Sequence, residues 1–151
     1  MKIVLLALVM LLGCPFISNA LSLEVVRKNY QLAVTDRNVC KSMLEQLRDN
    51  QESNIHRAYL GAFQMIWAKH IFNLIDKLRA FNKGKTNIDK VAKLVQNNVE
   101  IIFIRYSVQR NSPGFLGYND NLKEDKNFLY KNRNSISSVT LKTMVEKLLN
   151  S

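Results

Sequence analysis

The sequence predicts an all-α fold: one compact domain of about six or seven helices, packed as hairpins. Three observations predict it. Apolar residues recur through 58–82 at Tyr59, Phe63, Ile66, Trp67, Ile71, Leu74, Ile75, Leu78 and Phe81, the i, i+3, i+4, i+7 spacing of one wide helical stripe. Candidate caps and polar connectors separate further segments with the same period. No convincing pair of strands occurs, and a lone strand cannot satisfy its own backbone.

The chain opens with MKIVLLALVMLLGCPFISNA. One positive charge, Lys2, precedes an apolar run from Ile3 to Leu12, and Ser18-Asn19-Ala20 places small residues where a signal peptidase reads. The pattern is that of a secretory signal peptide over 1–20, too short in its apolar part to cross ~30 Å of hydrocarbon. Leu11-Leu12-Gly13-Cys14 also resembles a lipobox, which makes a lipoprotein anchored through Cys14 the alternative. The apolar Pro15, Phe16 and Ile17 after the cysteine favour cleavage after Ala20. An exported protein, periplasmic or extracellular, is expected.

Cleavage leaves 131 of the 151 residues, enough for one domain over 21–151 with its own core. It leaves Cys40 alone, so an internal disulfide is excluded; a buried thiol or an intermolecular bond remain open. Removing Lys2 from the 22 basic residues leaves 21 against 12 acidic ones, a net charge of +9. The basic residues are scattered. They suit a solvated surface, or contact with anionic envelope material, while export argues against nucleic acid. No transmembrane span is expected after cleavage.

Along the mature chain, Ser22 is placed to cap a helix over about 23–34, with Glu24 in its first turn. Thr35-Asp36 breaks or recaps it, and Val39, Cys40, Met43, Leu44 and Leu47 form the face of a helix over 37–49. DNQESN, 49–54, is a polar connector. The long stripe follows, with Asn73 as a bend near its middle and Gly84 closing it. Asn87 is read as the cap of the next helix, which Asn97-Asn98 ends. VEIIFIRYSVQR, 99–110, has β-branched content that suits a strand, but with no partner strand it is assigned to a buried helix. NSPGFLGYN, 111–119, is a turn-rich loop pinned by Phe115, Leu116 and Tyr118. Asp120 is expected to cap a helix holding Leu122, Phe128 and Leu129, and a last helix carries Val139 to Leu149.

Two resemblances follow from these residues. Tyr59-Leu60-Gly61, Gly84-Lys85, Ile88, Val91-Ala92, Leu94 and Asn97-Asn98-Val99-Glu100 together resemble a tetratricopeptide-type helical hairpin over 58–110. The 34-residue period does not recur cleanly and no proline follows, so this implies a hairpin architecture and not a repeat array. GAFQMIWAKHIFN, FNKGK and SPGFLGY resemble small exported helical proteins of Bacteroidetes-type bacteria. That implies a compartment and a fold class, and no catalytic residues.

No constellation for chemistry stands out. HExxH, CxxC, GxSxG and a phosphate-cradling glycine loop are all absent. His56 and His70 lie fourteen residues apart, about 21 Å on one helix, too far to share a metal. No catalytic residue, cofactor or metal is assigned. A binding edge is placed at Lys69, His70, Asn73, Arg105 and Tyr118. The leading functional reading is a non-enzymatic exported helical protein that binds protein or peptide in the cell envelope. The alternatives are a small enzyme or ligand-binding protein with a groove near His70, and a basic protein that associates with anionic envelope surfaces.

Overall fold

Residues 20–151 are described in the computed structural model. The expected signal peptide, including Cys14, lies outside them except for Ala20. Seven α-helices follow: α1 (Leu23–Leu32), α2 (Arg37–Asp49), α3 (Asn54–Lys69), α4 (Leu74–Leu94), α5 (Val99–Asn111), α6 (Leu122–Asn132) and α7 (Val139–Asn150). Short 3-10 turns occupy Gly114–Leu116 and Arg133–Ser135. Among the described residues there is no strand, so the all-α expectation holds.

Side-chain caps set most of the boundaries. Asp36 accepts from the amides of Asn38 and Val39 and starts α2 as a separate helix. Ser53 accepts from His56 N, Asn73 from Ile75 N and Asp76 N, Asn98 from Glu100 N and Ile101 N, and Ser138 from Leu141 N. Each satisfies amides that have no partner inside a first turn. Ser22 occupies the capping position of α1, but its hydroxyl makes no cap bond. Asn121, not Asp120, precedes α6, also without a side-chain cap bond.

The long stripe is two helices, not one. It breaks at His70–Asn73, where the Asn73 carboxamide takes the amides that open α4. The chain folds back and α3 packs along α4. Gly84, expected to end a helix, lies inside α4, opposite Gly61 of α3. A Cβ on Gly61 would sit 2.8 Å from the Gly84 carbonyl oxygen, so small size at a close crossing is what the position requires. Asn87 is also interior to α4; it caps nothing and donates its Nδ2–H to Gln64 Oε1 at 2.8 Å. The chain turns after Leu94 through Asn97, whose φ is +64°.

Residues 99–110 form a helix, as expected. α5 is buried nearly all round, from Glu100 to Ile104 and again from Tyr106 to Gln109, which explains why its composition carries no polar face. The core joins fully buried side chains of α1 to α7, among them Val26, Leu47, Tyr59, Phe63, Ile88, Ile101, Leu129 and Val145. At its centre the Tyr30 ring meets Tyr59, Phe63 and Phe103 edge-on, with centroids 5.5, 5.8 and 6.2 Å away. Tyr118 does pin the 112–121 loop, its ring set edge-on to Phe81, but Phe115 points to solvent.

Candidate functional site

Two buried polar knots hold the helices together, and their groups are engaged with one another. In the first, Arg27 of α1 donates to both carboxylate oxygens of Glu100 on α5, at 2.8 and 2.6 Å, and Tyr59 of α3 donates to Glu100 Oε1 at 2.9 Å. Glu24 bridges Arg27 and the Ser138 hydroxyl ahead of α7. In the second, Arg105 of α5 forms a two-point ion pair with Asp125 of α6, at 2.8 and 2.6 Å, with Asp125 only 1% exposed. Bidentate, charge-assisted bonds of this kind fix the register between helices. The Glu100 knot leaves no local signal in the sequence, because its partners lie 73 and 41 residues away.

The five residues of the expected edge divide between two places. Arg105 is committed to Asp125, and Tyr118 donates to Asp89 Oδ1 at 2.8 Å with the Lys85 ammonium 5.0 Å from its ring centroid. Burial, followed by the neighbouring Asp89 carboxylate, raises the Tyr118 hydroxyl far above its ordinary pKa. These two residues tie α4, α5 and α6. Lys69, His70 and Asn73 instead share the tight turn between α3 and α4. No single edge contains all five.

At that turn His70 follows the last residue of α3 and bonds through Nε2 to the Ala33 carbonyl at 2.8 Å. A carbonyl only accepts, so Nε2 carries the proton. This bond ties the turn to the end of α1. His70 lies against Trp67, with centroids 6.0 Å apart, and the Arg37 guanidinium sits 5.2 Å from the Trp67 ring centroid. His56 is held likewise, by Ser53 Oγ and the Leu21 carbonyl, both at 2.8 Å. Cys40 is buried, its thiol 3.6 Å from the Phe63 carbonyl and pushed up to about 12 by burial. Among the described residues no group of three or more His, Cys, Asp or Glu is arranged to hold a metal ion.

The turn carries the surface that stands out. Phe72 is 98% exposed, Leu74 and Ile75 67% each, and Leu78 37%. The stripe reading placed Leu74, Ile75 and Leu78 on a buried face. The break at Asn73 turns the first two turns of α4 outward, beyond the reach of the core, and burial resumes at Phe81. Lys69 and Lys77 flank the apolar tip in sequence, and Arg79 follows, paired with Asp76 at 2.6 Å. The tip is thus apolar at its apex, with lysines on either side of it in the sequence. Contiguous exposed apolar side chains rimmed by polar ones mark interaction sites.

The fold and this tip together describe a basic all-α domain with an exposed apolar turn between α3 and α4. Comparisons with protein-family models, with curated proteins and with solved structures gave no match.

Proposed function

We propose that the protein is an exported, non-enzymatic binding protein that docks on anionic lipid surfaces through the α3–α4 tip. The observation that carries this reading is the exposure of Phe72, Leu74 and Ile75 at one apex between basic residues. Apolar side chains that enter the headgroup boundary contribute by burial. Lysine and arginine beside them contribute by attraction to anionic lipid, at about 1 kcal/mol each near the surface. The mature charge of +9 adds long-range steering of the same sign. No described helix is long and apolar enough to cross a membrane, so this contact is peripheral. The amino-terminal pattern supports export to the periplasm or beyond, with lipidation at Cys14 as the alternative.

A peptide groove between α3 and α4 has less support. The two helices meet backbone to backbone at Gly61 and Gly84, which leaves no channel at that crossing. Vesicle co-sedimentation tests the reading. The mature protein is expected to pellet with mixed phosphatidylglycerol–phosphatidylcholine vesicles and to be released as the screening length falls from ~10 Å at 0.1 M salt to ~3 Å at 1 M. Phe72→Ser with Ile75→Ser, both at exposed positions, is expected to abolish pelleting without unfolding the domain. Equal pelleting of this variant overturns the proposal. So does a wild type that stays in solution, including one retained instead by another protein through Phe72 and Ile75.

A further inference from the structure

A separate concavity opens between α1, α3, α5 and α7. Its volume is about 370 Å³, within the ~300–1,000 Å³ range of small-molecule sites and near its lower end. Its walls are mainly apolar, with Met65 and Ile66 of α3, Phe103 and Val108 of α5, Met144 and Leu148 of α7; the polar Gln31, Thr35 and Asn111 also line it. Tyr30 and Ser107, whose hydroxyls are hydrogen-bonded to each other at 3.2 Å, are on the same lining. Two basic residues line it, Lys69 at the end of α3 and Lys147 on α7. No aspartate or glutamate side chain does. Ser151 is on the lining as well.

An apolar chamber with only cationic charged side chains selects by both properties. A neutral hydrocarbon gains nothing from the lysines, and a cationic amphiphile is repelled by them. A ligand with a short hydrocarbon body and one anionic end satisfies both. Met65 and Met144 suit such a site, since unbranched thioether side chains adapt to a flexible tail. We infer that this concavity binds a free monoacyl carboxylate, with its chain against Met65, Phe103 and Met144 and its carboxylate toward Lys69 and Lys147. The concavity shares Lys69 with the flank of the docking tip, but none of the apolar tip residues Phe72, Leu74 and Ile75 lines it.

Decanoate titrated into the mature protein, with the methionine methyl groups labelled for NMR, tests the inference. Met65 and Met144 are expected to shift saturably while Met43, buried outside the concavity, does not. Decyltrimethylammonium is expected to leave all three unmoved. Lys147→Glu, at an exposed position, is expected to weaken decanoate binding about fivefold while vesicle pelleting through the tip persists. Phe72→Ser with Ile75→Ser is expected to leave decanoate binding intact. The inference is overturned if decanoate shifts no methyl group or shifts Met43 equally, if the cationic amphiphile binds as well, or if Lys147→Glu leaves the affinity unchanged.

Discussion

Gly61 of α3 and Gly84 of α4 face each other across the helix hairpin with no side chain between them. A Cβ on Gly61 would lie 2.8 Å from the Gly84 carbonyl and from Ile88 Cγ1, and one on Gly84 would strike the Gly61 carbonyl and Met65. The hairpin therefore closes through backbone contact.

Gly84→Ala sets two effects against each other. Alanine favours a helix interior by about 1 kcal/mol over glycine. The obstruction is a carbonyl oxygen and a backbone amide, which no rotamer change can move aside. We expect a net loss of about 1–3 kcal/mol, measured by urea denaturation. Gly114→Ala, with no heavy atom within 4 Å of the added carbon, is the control and is expected to stay within about 0.5 kcal/mol.

The Glu100 knot predicts unequal costs for its members. Glu100→Gln leaves the Arg27 guanidinium facing a neutral amide in a site where both side chains are largely buried. Breaking such a pair costs about 3–5 kcal/mol, and we expect the lower end because Glu24 still contacts Arg27. Tyr59→Phe removes one bond to the carboxylate and is expected to cost about 1.5 kcal/mol. Denaturation midpoints of the two variants give the order.

Acid should reveal Glu24. Hydrogen bonds from Ser138, Thr140 and Arg27 hold its carboxyl at about 2, against an ordinary value of 4.5. A depressed folded-state value means that the carboxylate contributes stability in full above 4.5, and that this contribution disappears as pH falls toward 2. The stability difference between the wild type and Glu24→Gln is expected to be constant above pH 4.5 and to close between 4.5 and 2. A difference that persists unchanged at pH 2 contradicts this.

Cys40 should be silent in the native protein. Its thiol is buried and raised to about 12, so almost no thiolate exists at neutral pH. Ellman's reagent is expected to label it only as fast as the domain opens, and at once in denaturant. A non-reducing gel of the folded protein is expected to show monomer.

The sequence alone determined the class of fold, because helical period is a local property. The cap at Asp36 follows from a short side chain reaching amides two and three residues on, and the helix assigned to 99–110 follows from the absence of a strand to pair with. Tertiary structure decided what local rules leave ambiguous. An asparagine at position 73 serves equally as a bend or as a cap, and only the packing of α3 on α4 selects the cap. A glycine at position 84 serves either conformational freedom or close approach, and Gly61 decides for close approach. The polar residues divided for the same reason: Arg105 found Asp125 twenty residues away and Arg27 found Glu100 seventy-three away. Leu74 and Ile75 fit a buried stripe by spacing. They are exposed because the fold-back at His70–Asn73 carries them past the end of the core, a distance that periodicity does not encode.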